Sequence, residues 1–159
     1  MDHLSLAKNI LRLARANSIK IVTAESCTGG LLAGAITEAP GSSDIFDCGY
    51  ITYSNAAKTD MLGVNISTLN QSGAVSEQVA QEMAVGALRR ARADLAVSVT
   101  GIAGPGGSDH KPEGRVCFAL VQTDRSPISE TIEFSAIGRD AVRAAAVKHA
   151  LQMIVTALS

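Results

Sequence analysis

The stretch Thr23-Ala24-Glu25-Ser26-Cys27-Thr28-Gly29-Gly30 gathers a carboxylate, a thiol and three hydroxyls into one short connection. These groups can do acyl-transfer chemistry, with Ser26 or Cys27 as nucleophile. Ser26, just ahead of a predicted helix, has a second reading as its N-cap, accepting from a backbone amide. As a nucleophile it would gain from the positive end of the helix dipole. One side chain is enough for a cap, so Glu25, Cys27 and Thr28 go beyond that need. Cys27 would ordinarily pair with a histidine, but His3, His110 and His149 fall in a terminal helix, a loop and the last helix, outside any nucleophile motif.

A hydroxyl nucleophile without a histidine needs another base, and a lysine serves in Ser–Lys pairs. Lys58, in YITYSNAAK, follows a strand end and opens a short helix, which puts it at the same rim. Its alternative is a solvated surface lysine. Tyr53 of that stretch either relays a proton to a developing oxyanion or is a half-buried strand tyrosine. A third stretch, TGIAGPGG, has four glycines in seven residues after an apolar run. It matches neither the dinucleotide nor the P-loop pattern. Its backbone amides can cradle an anion such as phosphate, or it is an ordinary surface loop. Asp44, Asp47, Asp60 and Asp109 lack metal-ligand spacing, and no metal or other cofactor is indicated.

The elements that must carry these groups follow from periodicity. Helices are predicted over residues 3–17, from Gly29 to before Pro40, over 55–63, from Ser76 through the ALRRARA segment, and over 139–158. Strands are predicted at IKIVTAE, IFDCGYITYS, DLAVSVTG, RVCFALVQT and SETIEFSA, the last two joined as a hairpin across DRSP. Residues 64–74 read as loop. Alternation of helix and strand predicts an α/β fold with helices on both faces of a mostly parallel sheet, made mixed by the hairpin. In such sheets the connections beyond the carboxyl ends of the strands gather at one rim, where ligands bind.

With 159 residues, 47% hydrophobic and 18% charged, the chain reads as one domain over 1–159. The net charge of -1 and the lack of Trp, with two Tyr and three Phe, argue against a nucleic-acid partner. Three well-separated cysteines without a CxxC pair fit a reducing compartment. The N-terminus lacks a leader pattern, and no apolar run approaches bilayer length by inspection, so a cytoplasmic protein without a membrane partner is expected. Symmetric homo-oligomers are common enough that one is expected here.

Taken together, AESCTGG, GYITYSNAAK, GAVSEQVAQEMA and SVTGIAGPGG resemble the C-terminal domain of the competence/damage-inducible protein CinA, in register from about residue 5 to the last helix. The resemblance implies a three-layer α/β/α sandwich around a mixed five-stranded sheet. It also implies a metal-free amidohydrolase that deamidates nicotinamide mononucleotide within the pyridine nucleotide cycle. Longer members of that family carry a further N-terminal domain. The family nucleophile falls on Ser26, its base on Lys58 with Tyr53 assisting, and its substrate loop on Thr100, Gly101 and Gly104. Its basic residue falls on Arg139, although relatives commonly read Gly-Asp-Arg where this chain reads Ile137-Gly138-Arg139-Asp140. On this basis the amides after Ser26, around Thr28 and Gly29, are candidate oxyanion donors. The glycine loop and Arg139 would hold the phosphate. Glu25 would orient Lys58 or cap the loop, and Cys27 would only pack. Two alternatives remain open: hydrolysis of another small amide on a nucleoside-like phosphate, and a non-catalytic domain that binds a pyridine nucleotide or a partner in competence or DNA repair.

Overall fold

The protein is described here by a computed structural model covering residues 1–108 and 110–159. Helix α1 (His3–Asn17) starts at Asp2, whose side chain accepts from the Ser5 amide at 2.7 Å. It buries Leu6, Ala7, Ile10, Leu11 and Ala14, while Leu4, at the same helical spacing, is only partly buried in the first turn. Strand β1 (Ile21–Glu25) leads through residues 26–30 into α2 (Leu31–Thr37). A 3₁₀ turn (Ser42–Asp44) precedes β2 (Phe46–Ile51), followed by α3 (Asn55–Leu62), α4 (Ile66–Ser72) and α5 (Glu77–Arg90). Then come β3 (Leu95–Gly101), β4 (Arg115–Gln122), β5 (Ile128–Glu133) and α6 (Arg139–Leu158).

The sheet has the order β2-β1-β3-β4-β5. Both β2 and β3 run parallel to β1, and β4 lies antiparallel to β3 and β5. Side-chain alternation divides the core in two. Leu95, Val97 and Val99 of β3 and Val116, Phe118 and Leu120 of β4 face α1, α2 and α6. Ala96, Cys117, Ala119 and Val121 face α3 and α5 on the other side. The three-layer arrangement expected from the sequence is therefore present, with the hairpin supplying the antiparallel strand β4.

Two expectations need correction. Residues 64–74 are not all loop, because Ile66–Ser72 form α4, which buries none of its own residues. Its composition, ISTLNQS, has no apolar stripe, so periodicity could not reveal it. Secondly, α6 does reach spanning length, with a mean hydropathy of 1.2 over its most apolar stretch. It is a core helix: Val142, Ala146, Val147, Ala150, Leu151, Ile154 and Leu158 are buried against the sheet and α1.

Candidate active site

Ser26 immediately follows β1, and its amide donates to Val99 O of β3 at 2.9 Å. Parallel pairing sets the end of β2 alongside, where the Thr52 amide donates to Glu25 O at 2.8 Å. Helix α3 then begins at Ser54, whose Oγ accepts from the Ala57 amide at 3.0 Å. This start fixes Lys58 in the first turn of α3, with its side chain directed back across the strand ends. Lys58 Nζ lies 2.9 Å from Ser26 Oγ.

Lys58 is among the largest fully buried side chains of the described residues, at 1% exposure. Its Nζ also donates to Thr52 O at 2.9 Å and Tyr53 O at 3.3 Å. No carboxylate pairs with it among the described residues. Burial pulls its pKa from 10.5 down to about 8, opposed only by a smaller contribution from Cys27. The hydrogen-bond count is informative. A neutral amine has two N–H donors and one lone pair. The two carbonyls occupy the donors, and the lone pair is left for the Ser26 hydroxyl.

The turn after Ser26 is shaped by Glu25, which is fully buried. Its carboxylate accepts from Thr28 Oγ1 at 2.6 Å and from the amides of Gly30, Leu32 and Ala33 at 3.1, 2.9 and 3.0 Å. Glu25 thus caps α2, one of the two roles considered from sequence, and makes no hydrogen bond to Lys58. Ser26 is not the cap of α2. The Gly29 amide donates to Ser26 O at 3.0 Å. Only the amides of Cys27 and Thr28 in this turn donate to no acceptor among the described residues. Thr28 itself is fully buried, and Gly29 adopts φ +57°. Burial pushes the Cys27 thiol up to about 12, so near neutral pH it is protonated and a poor nucleophile.

Ser26, Lys58 and Tyr53 open into a cleft of about 430 Å³ whose far wall is the loop after β3. Thr100, Gly101 and Gly104 line it, as expected, together with Arg139. Thr100 Oγ1 is not free, because it donates to Ala74 O at 2.9 Å and ties the end of β3 to the segment before α5. Arg139, the first residue of α6, donates to Gly104 O at 2.7 Å and to the Tyr53 hydroxyl at 3.0 Å. The Tyr53 ring is 59% exposed, so its hydroxyl stands at the rim with Arg139 instead of beside Lys58. Glu25 and Thr28 do not line the cleft.

Sequence reasoning missed Lys111, which lines the cleft and donates to Ser72 O at 2.6 Å and Val75 O at 2.5 Å. It also missed Asn55 and the Ala74–Val75 segment of the wall. Asn55 and Ala74–Val75 lie inside the stretches GYITYSNAAK and GAVSEQVAQEMA, but their residue types singled out no role there, and Lys111 lies outside every quoted stretch. The described lining carries Lys58, Lys111 and Arg139 and no acidic side chain, which suits an anionic ligand. Among the described residues no cluster of three His, Cys, Asp or Glu side chains is placed to hold a metal ion. Asp109 lies outside the described residues.

The sequence pattern of the CinA C-terminal domain matches residues 3–158. The chain belongs to this family. A CinA-family relative from Escherichia coli (strain K12), nicotinamide-nucleotide amidohydrolase PncC, is 49% identical over 152 residues, covering 95% of this chain and 92% of its own. The PncC of Enterobacter agglomerans is 56% identical over 133 residues, covering 83% and 80% respectively. Among solved CinA-family structures, competence/damage inducible protein CihA from Agrobacterium tumefaciens superposes with a TM-score of 0.95 at 48% identity, covering 99% of this chain and 96% of that one.

Proposed function

We propose that this chain is an amidohydrolase that converts nicotinamide mononucleotide to nicotinate mononucleotide and ammonia, and so recycles the mononucleotide left when NAD is consumed. The observation that carries the chemistry is the buried Ser26–Lys58 contact at 2.9 Å, opening into a positively charged cleft. The substrate rests on the relatives' names together with that charge, since a nucleotide phosphate is an anion.

In the proposed cycle Ser26 Oγ attacks the carboxamide carbon and Lys58 Nζ takes its proton. The negative charge gathers on the former carbonyl oxygen, where the free amide of Cys27, which lines the cleft, is the donor at hand. The C–N bond then breaks, Lys58 returns the proton to the departing nitrogen, and ammonia leaves an acyl ester on Ser26. Water attacks the ester with Lys58 again as base, the Ser26 Oγ–C bond breaks to release the acid, and Lys58 returns the proton to Ser26 Oγ. Arg139 and the amides of the Gly101–Gly107 loop hold the phosphate end, and Tyr53 helps keep Arg139 in place.

Ammonia release from nicotinamide, its riboside and its mononucleotide tests this reading. Only the mononucleotide should be an efficient substrate, with kcat/KM at least about 10²-fold above the riboside, because the riboside forfeits charge-assisted phosphate contacts. Equal rates on riboside and mononucleotide would reject the nucleotide assignment.

A further inference from the structure

We infer that Arg143 is a positioning residue that braces the Ser26 turn so that the free Cys27 amide, on the residue that lines the cleft, is held ready for a developing oxyanion, an inference that rests on the acyl-transfer reading above. Arg143 stands one turn along α6 from Arg139 and is half-buried. Its Nε donates to Cys27 O at 3.1 Å and its Nη2 to Thr28 O at 3.3 Å. The preceding carbonyl, Ser26 O, accepts from the Gly29 amide at 3.0 Å. Three consecutive peptide oxygens are therefore held.

In a planar trans peptide the C=O and the following N–H point in opposite directions. A held carbonyl thus fixes the direction of the next amide. The peptide of Ser26 O carries the Cys27 N–H, and that of Cys27 O carries the Thr28 N–H. Neither donates to an acceptor among the described residues, but Thr28 is fully buried and off the cleft, which leaves the Cys27 amide to face a ligand. Arg143 reaches it by holding Thr28 O, whose peptide carries the Gly29 N–H that donates to Ser26 O. Glu25 absorbs the amides of Gly30, Leu32 and Ala33 further along, so the turn offers no others downstream. A cation on a carbonyl oxygen also polarises its peptide and makes the attached N–H a stronger donor. No carboxylate pairs with Arg143 among the described residues, so this charge is not neutralised by an ion pair. Gly29 takes the left-handed φ of +57° that shapes this turn, and a Cβ there would only touch Arg143 Nη2, at 3.4 Å.

The test uses two readouts on the full chain. One is steady-state ammonia release from nicotinamide mononucleotide. The other is phosphonylation of Ser26 by a fluorophosphonate probe, followed by intact-mass spectrometry, which needs no substrate assignment but builds charge on a phosphoryl oxygen that the same amide would have to stabilise. For Arg143→Ala, kcat and the phosphonylation rate should each fall about 10²-fold with KM changed less than about threefold. Added guanidinium ion should restore part of both rates. Arg143→Lys, which reaches one carbonyl at a time, should fall between, and it serves if the alanine variant does not fold. Folded variants phosphonylated within about twofold of wild type, or an effect confined to KM, would overturn the inference. Wild type that is phosphonylated at Ser26, slowed by Arg143 changes, yet inert toward the mononucleotide would reject the substrate and leave this inference standing.

Discussion

A lysine buried without a carboxylate partner among the described residues is the feature on which the proposed chemistry turns. Its folded-state pKa of about 8 lies below the ordinary 10.5 because burial disfavours the ammonium. Only neutral Lys58 can accept the Ser26 proton, so kcat/KM should rise from pH 6 and level off above about pH 8, tracking that pKa. A flat profile from pH 6 to 9 would exclude Lys58 as base. The stability linkage has the same origin. Between about 8 and 10.5 the unfolded chain holds the proton that the folded chain has lost, so stability rises with pH across that window. Lys58→Met should flatten that rise in a denaturant series while abolishing turnover. At this scale the proposed nucleophile and base, Ser26 and Lys58, were singled out from AESCTGG and YSNAAK, largely through family resemblance. Arg143 and Lys111 were not, because both bind backbone carbonyls, and a sequence does not display which carbonyls a fold brings near a cation.

Helix α3 carries Lys58, and what sets its depth is contact with α5. A Cβ added at Gly86 of α5 would collide with the carbonyl oxygen of Leu62, the last residue of α3. That oxygen is backbone and cannot swing aside, so Gly86→Ala must push the two helices apart. The variant should lose at least about 2 kcal/mol by chemical denaturation, in the range of overpacked cores. Its kcat should fall as well, since Lys58 moves away from Ser26. Unchanged stability would show that the helices slide freely. Strong apolar periodicity made the long elements legible: α6 occupies the predicted 139–158, and Ser76 caps α5, accepting from the Val79 amide at 3.2 Å. Helix α4 was illegible because it has no buried residue of its own. The start of α2 also falls later than Gly29, at Leu31, because the intervening residues wrap the Glu25 carboxylate.

At the scale of the molecule, the α/β plan explains why residues from four parts of the chain meet. Strands β1, β2 and β3 run parallel and deliver Ser26, Tyr53 with Lys58, and the glycine loop to a single edge. The start of α6 then brings Arg139 across the opening to Gly104 and Tyr53. Sequence order alone suggested the shared rim; the closure by α6 required the fold. On the proposed reading one buried hydroxyl–amine pair performs amide hydrolysis without a metal. The most direct test is ammonia release from nicotinamide mononucleotide in EDTA by wild type and Ser26→Ala, with folding of both checked by circular dichroism. Turnover by wild type and a loss of at least about 10³-fold in the variant is the expected result. Undiminished turnover by a folded Ser26→Ala protein would contradict the account and require a different nucleophile.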